Sequence, residues 1–190
     1  RAPERARTEI SAQFERSLPT GRTLGVTVAP ALGLGKVITY VDVSDRKRAQ
    51  EQLRVSQQRL QAILDNSFAV IYLKDAQGRY LLINRRFETL FHVQRDTVLG
   101  KTDHDLFPPH FAESFRMNDQ RALQGTAALT IEEIAPQDDG LHTYVSVKFP
   151  LTDAAGQPYG VCGISTDITE RKRAESQLRA SHEALEFANH

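Results

Sequence analysis

The sequence predicts an α+β protein in which a mixed strand-and-helix domain is flanked by two amphipathic helices. Two observations carry that expectation. Residues 67–167 order as strand, strand, helices and then three strands, each bounded by turn residues. In addition, a junction where an apolar, β-branched run gives way to a charged helical one is written twice. It stands at Asp42-Val43-Ser44-Asp45-Arg46-Lys47-Arg48 and again, 125 positions on, at Asp167-Ile168-Thr169-Glu170-Arg171-Lys172-Arg173. The offset persists beyond the junction, because Ala49, Leu53, Ser56 and Leu60 recur as Ala174, Leu178, Ser181 and Leu185. A repeat of this kind favours one complete domain plus part of another.

In chain order, residues 1–12 are polar and helix-compatible without a clear stripe. Residues 14–18, 23–29 and 35–41 read as strands, separated by Pro19-Thr20-Gly21 and by the proline- and glycine-containing stretch 30–35. Three strands have nothing to cover their apolar face. Residues 1–44 are therefore expected to be the C-terminal strands of a domain whose front half is missing.

Residues 43–66 read as a helix, with 45–66 serving as a linker. Ala49, Leu53, Ser56, Leu60 and Ile63 are spaced 4, 3, 4, 3, a heptad seam between polar flanks. A seam this narrow fits pairing with a second copy of the chain; a surface helix lying on its own domain is the plainer alternative. Leu53, Leu60, Leu178 and Leu185 are the expected seam residues. At both helix starts two capping schemes are open. Asp42 with Asp45, and Asp167 with Glu170, have capping-box spacing, while Ser44 and Thr169 are candidate caps in their own right.

Within 67–167, strands at 69–74 and 79–83 flank Asp75-Ala76-Gln77-Gly78, a hairpin turn. Asn84 is placed to cap a short helix through His92 with Phe87, Leu90 and Phe91 on its buried side. Pro108-Pro109 opens a longer helix over 109–123 that Gly125 stops. Strands at 129–134, 142–151 and 159–166 close the block, with turns at Asp138-Asp139-Gly140 and residues 153–156. The outgoing helix occupies 168–190.

That order, together with Tyr72-Leu73-Lys74-Asp75, Gly78-Arg79-Tyr80, Asn84, Gly100-Lys101-Thr102-Asp103 and the closing Asp167-Ile168-Thr169-Glu170-Arg171, resembles a PAS domain, the sensor domain of bacterial signalling proteins. The resemblance spans 67–167, and residues 13–44 resemble the last three strands of a second, preceding PAS domain. It implies a five-stranded antiparallel sheet with helices on one face, acting as a cytoplasmic sensor and dimerisation module upstream of a histidine kinase, diguanylate cyclase or similar effector. It also implies that signal leaves through Asp167, Ile168 and Thr169. The junction residues singled out are Asp167, Thr169, Glu170 and Arg171, with Asp42 and Ser44 at the earlier copy.

The family's pocket lies between sheet and helices. Strand alternation makes Leu129 with Ile131, and Val145 with Val147, same-face pairs for its walls, faced by Phe111, Phe115 and Leu123 from the long helix. A packed core with no ligand is the competing reading, since a small domain has little stability to spare for an empty cavity. The cofactor is left unknown. Haem-binding members carry a histidine within the long helix, whereas here His110 stands at its first turn and Ser114, Met117 and Asn118 follow. The light-sensing flavin branch needs an Asn-Cys-Arg-Phe-like motif, which is absent; Cys162 sits in the final strand. Both haem and a photochemical flavin adduct are thus disfavoured.

Other constellations resolve without chemistry. Asp103, His104, Asp105 and His110 have metal-ligand side chains, but they fall in a turn and at a helix start, where Asp commonly caps. Glu132 and Glu133 are adjacent on a strand and point to opposite faces, so they are no acid–base pair. There is no Gly-x-Ser-x-Gly and no phosphate loop. The 190 residues carry 24 basic and 24 acidic side chains, well mixed, which leaves no nucleic-acid footprint. The longest apolar run, 68–73, is far short of a bilayer span. One cysteine excludes an internal disulfide and fits a reducing, cytoplasmic setting, with any membrane anchor elsewhere in the parent. Arg1 is not a natural start, so the chain is expected to be a segment of something longer.

Two functions from different classes follow. The first is a non-catalytic sensory module that forms a homodimer through its linker helices, possesses a downstream effector in the same chain, and leaves room for a small-molecule ligand. The second is a stand-alone small-molecule-binding protein or enzyme. The duplicated, exposed seam favours the first.

Overall fold

The computed structural model describes residues 12–31, 33 and 35–188, with side chains through residue 183. The polar stretch 1–11, and the side chain of Leu185 with its expected place in a seam, lie outside the described residues. Two compact units divide the chain, Arg1–Leu60 and Gln61–His190.

The first unit holds β1 (Ala12–Ser17), β2 (Thr23–Ala31) and β3 (Gly35–Asp42) in an antiparallel sheet with β2 central. Gly21 turns the chain between β1 and β2 at φ 79°, a left-handed conformation open to glycine. In this unit Val26 is the one hydrophobic side chain fully buried among the described residues, whereas Phe14, Val37, Ile38, Tyr40 and Val41 are exposed. Helix α1 (Ser44–Asp65) follows β3 directly.

The second unit is the five-stranded antiparallel sheet with helices that the resemblance implies. Its strands are β4 (Val70–Asp75), β5 (Tyr80–Ile83), β6 (Leu129–Gln137), β7 (Gly140–Thr152) and β8 (Pro158–Asp167), in the order β5-β4-β8-β7-β6. Between β5 and β6 run α2 (Arg85–Phe91), α3 (Arg95–Val98), a 3-10 turn at Asp103–Asp105 and α4 (Pro109–Gln124); α5 (Thr169–Ala188) leaves from β8.

Alternation sorts the strand side chains. Val70, Tyr72 and Lys74 of β4 and Tyr144, Ser146 and Lys148 of β7 are buried on the helix-covered face. The core is aromatic. Tyr72, Tyr80, Phe87, Phe91, Phe107 and Phe115 form a run of edge-on contacts with centroids 4.8 to 6.0 Å apart. Gly163 makes room for it, since a Cβ there would lie 2.2 Å from Tyr72 Cζ. A glycine in β8 is thus the condition for the Tyr72 ring to lie against the sheet.

Asn84 caps α2 as expected, its Oδ1 accepting from the Phe87 amide at 3.1 Å. Pro109 opens α4 and Gly125 ends it, although with extended rather than left-handed backbone (φ −84°). The buried positions of α4 are Ala112, Asn118, Asp119 and Ala122. An apolar-only stripe places Phe111, Phe115 and Leu123 there instead, because it passes over the two polar residues.

Candidate functional site

Five ionisable side chains from five elements meet between α4 and the sheet, all buried. Lys74 Nζ of β4 donates to Asp103 at 2.7 and 2.6 Å and to Asp119 Oδ2 at 2.7 Å. Lys148 Nζ of β7 lies 2.7 Å from Asp119 Oδ1 and 2.8 Å from Glu133 Oε1 of β6. The Tyr80 hydroxyl donates to Asp103 Oδ1 at 2.6 Å, and Asn118 Nδ2 to Glu133 Oε1 at 3.0 Å. Both lysines also sit over the Tyr72 ring, at 4.8 and 5.8 Å from its centroid. Burial pushes the Asp119 carboxyl up, but Lys74 and Lys148 outweigh it and hold the group below the ordinary carboxylate value. Burial works against the Lys148 ammonium, and Asp119 with Glu133 more than reverse it. The Tyr72 and Tyr80 hydroxyls are driven well up by burial first and by the neighbouring carboxylates second.

Beside this cluster lies a cavity of about 40 Å³ between sheet and helices. Phe87, Phe91, Phe107 and Phe115 form its helical wall, and Tyr72, Lys74, Glu133, Tyr144, Ser146 and Ser165 line its sheet side. Ser146 Oγ and Ser165 Oγ are hydrogen-bonded to each other at 2.8 Å. Of the residues expected to line a pocket, Phe115 does. Phe111, Leu123, Leu129 and Ile131 do not; Leu129 and Ile131 share the parity of Glu133 and Ala135 but lie toward the other end of β6. Val145 and Val147 alternate with the lining residues and so occupy the opposite face of the sheet. Both faces of β7 offer apolar side chains, and parity read from valines alone selects the wrong one.

At the end of the same sheet stands the junction. Asp167 Oδ1 accepts from the Thr169 amide at 2.8 Å, and Thr169 Oγ1 accepts from the Thr143 amide of β7 at 2.9 Å. The Ile168 amide donates to the Thr143 carbonyl at 2.8 Å. In the first unit Asp42 Oδ1 accepts from the Ser44 amide at 3.0 Å, Ser44 Oγ accepts from the Thr23 amide at 2.8 Å, and the Val43 amide donates to the Thr23 carbonyl at 2.9 Å. The duplication in sequence is thus a duplication of three hydrogen bonds.

Neither capping scheme read from spacing forms as expected. Asp45 and Glu170 turn outward to Arg48 and Arg173, and the Ser44 and Thr169 hydroxyls bond the neighbouring strand rather than their own helix. The acid two residues earlier takes the free helix amide, because the strand ends with its carboxylate already beside it. Arg171 is exposed and forms no ion pair among the described residues, while Lys172 reaches Glu132 of β6 at 2.8 Å.

Sequence reasoning missed His142. Its Nδ1 lies 2.7 Å from Asp167 Oδ2 and its Nε2 2.8 Å from Asp139 Oδ1. Ionised carboxylates only accept, so both ring nitrogens must donate, and the imidazolium is the form this geometry suits. Burial depresses the imidazole, but Asp167 and Asp139 prevail and raise its pKa above 6.5. Burial likewise raises Asp167, and Thr169 with His142 carry it below the ordinary value. Stability from His142 is therefore complete below its unfolded pKa and is lost as pH rises through the raised folded value. The Asp167 contribution runs the other way, present above its unfolded pKa and lost as pH falls through the lowered one. We expect a loss of about 1 kcal/mol across the histidine window, seen in chemical denaturation from mildly acidic to mildly alkaline pH and missing from His142→Gln. An unaltered slope in that variant would count against the ion pairs.

The remaining candidates are dispersed. Asp103 belongs to the buried cluster, Asp105 takes the Thr102 amide and hydroxyl, His104 lies 3.5 Å from Glu113, and the His110 ring lies tilted against Phe111. No group of three or more metal-ligating side chains forms among the described residues. Leu53, Leu60 and Leu178 are exposed on their helices. No helix among the described residues is long and apolar enough to cross a membrane.

A family model described as the PAS fold matches residues 64–173. The methanogenesis regulatory histidine kinase FilI of Methanothrix harundinacea is 32% identical over 128 residues, 67% of this chain and 14% of that protein. A diguanylate cyclase of Vibrio cholerae is 30% identical over 119 residues, 61% of this chain and 37% of that one. The chain thus spans well under half the length of these relatives. Among solved structures, the PAS domain of a protein from Colwellia psychrerythraea superposes with a TM-score of 0.52 at 26% identity, covering 61% of this chain and 98% of that one.

Proposed function

The chain belongs to the PAS-fold family, and from that premise we propose that residues 67–167 are a non-catalytic sensor in a cytoplasmic signalling protein of histidine kinase or diguanylate cyclase type. Its relatives include a histidine kinase and a diguanylate cyclase. In this reading residues 1–44 are the end of a preceding PAS domain, 45–66 the incoming linker, and 168–190 the outgoing one. Leu53, Leu60, Leu178 and Leu185 face a second copy of the chain along the linkers, and α5 carries the output to an effector in the same parent.

One observation supports the route above all. Tyr144, a cavity-lining residue, is the register partner of Asp167, the residue that holds the start of α5. Cavity and outgoing helix are therefore separated by a single cross-strand pair. A change in what fills the cavity displaces Tyr144 or Ser165, and the displacement arrives at Asp167 with no flexible segment between. The Thr143, Thr169 and Asp167 hydrogen bonds convert it into a change in how α5 leaves the sheet.

Asp167→Ala in the full-length parent tests this. The domain should fold, since the helix-end hydrogen bond and the His142 contact are each worth about 1 kcal/mol, while output should cease to follow input. An unchanged dose response would rule the route out.

A further inference from the structure

His142 stands where the sheet meets the outgoing helix, and carboxylates hold it from two sides. Its Nε2 donates to Asp139 Oδ1 in the β6–β7 turn and its Nδ1 to Asp167 Oδ2 at the end of β8. The imidazole is 13% exposed and Asp167 29%, against 69% for Asp139. The ring and Asp167 are thus the enclosed pair, and Asp139 is the partner that solvent can take over. Asp167 Oδ1 meanwhile receives the Thr169 amide that opens α5. A single carboxylate joins a titratable ring to the first turn of the helix.

The other charged groups around this point leave the imidazolium as the cation on Asp167. Asp138 of the same turn pairs with His92 at the end of α2, Glu170 of α5 with Arg173, and Lys172 of α5 with Glu132 of β6. Arg86 of α2 acts on the Tyr144 hydroxyl, and its Nε bonds no acceptor among the described residues. Gln137 of β6 donates Nε2 to that hydroxyl and lies 3.5 Å from Asp167 Oδ2, the oxygen His142 holds at 2.7 Å. Loss of the ring proton leaves one N–H for two carboxylates, and the other nitrogen turns a lone pair toward its neighbour. Whichever tautomer forms, the Asp167 contact drops from a charge-assisted bond to a neutral one or is lost. Gln137 is the donor already next to that oxygen.

We propose that the proton on His142 governs the start of α5. With it, the ring fixes Asp167 in the orientation that caps the Thr169 amide; without it, Asp167 Oδ2 turns toward Gln137 and the cap loosens. Burial lowers the imidazole pKa, but the two carboxylates outweigh burial and carry it above 6.5, so the change falls on the alkaline side of that value. The inference rests on the sensory reading above and names a regulator of its junction. The two fail separately, because the cap is read in the isolated chain and output only in the parent.

Amide–water exchange measured by NMR in the 190-residue chain, from about pH 6 to about pH 9, with the His142 ring followed in the same samples, provides the test. Corrected for the intrinsic rate, protection of the Thr169 amide is expected to fall about fivefold with the midpoint of the ring. His142→Gln should remove that fall. Asp139→Asn, an exposed change that leaves the fold alone, should keep the fall and move its midpoint to lower pH. Thr169 protection that ignores the ring midpoint, the same fall in His142→Gln, or an unmoved midpoint in Asp139→Asn would each overturn the proposal. So would protection of Thr169 equal to that of the Val147 amide in mid-sheet at every pH, since the cap would then open only with the whole domain.

Discussion

Lys148→Met is expected to destabilise the Gln61–His190 unit by about 3–5 kcal/mol. Methionine nearly matches the aliphatic stem of lysine, so packing against Tyr72 and Phe115 changes little and the charge alone is removed. Glu133 then loses its ammonium partner and Asp119 one of its two, in a place no water shell can replace. Two carboxylates are left in excess where one stands now. Taking Glu133 away as well, in Lys148→Met with Glu133→Gln, restores the original imbalance and should recover most of the loss. A double-mutant cycle by urea denaturation gives the coupling directly. Lys148→Met within about 0.5 kcal/mol of wild type would mean that these groups are not charged in the folded state.

How much of this was legible beforehand depends on the type of side chain. The strand and helix order, the hairpin at Asp75–Gly78, the Asn84 cap and the doubled junction all follow from local signals: turn residues, periodicity and a repeat. The buried cluster left no such trace. Lys148 sits in Val145-Ser146-Val147-Lys148-Phe149, where the apolar residues alternate just as well as the buried ones. A one-residue change of parity exchanges the two faces of a strand, and hydrophobicity chose the outer one. Glu132 and Glu133 were separated onto opposite faces correctly, yet nothing local says that the second meets a lysine buried on β7. One signal was available. Lys74 ends the apolar and aromatic run Val70-Ile71-Tyr72-Leu73, and a charged residue in such a run is stable only when another element brings its counter-ion. His142 escaped notice for a related reason, since Asp139 lies 3 positions away at the β6–β7 turn, but Asp167 lies 25 away and meets it only through the β7–β8 register.

Asn84→Ala should cost about 2–4 kcal/mol, more than an ordinary helix cap, because the side chain does four things at once. It is fully buried. Oδ1 accepts from the Phe87 amide at 3.1 Å and from the Ile71 amide at 3.0 Å; Nδ2 donates to the Leu64 carbonyl at 3.0 Å and the Ala69 carbonyl at 2.9 Å. Alanine removes the cap and also strands the Ile71 amide of β4, while the Leu64 carbonyl at the end of α1 keeps only its long bond from the Ser67 amide at 3.3 Å. Asn84→Asp retains the acceptor but turns a carboxylate toward two carbonyls, so it should rescue little. The consequence reaches the cavity. Phe87 is both the residue whose amide is capped and a cavity wall, so losing Asn84 loosens that wall and the end of α1 together. Hydrogen exchange should show faster opening at the Phe87 and Ile71 amides and near-normal protection in β6 and β7, where no Asn84 contact exists. Uniform loss of protection across the sheet would indicate that Asn84 supports the whole fold rather than fastening α1, β4 and α2 to one another.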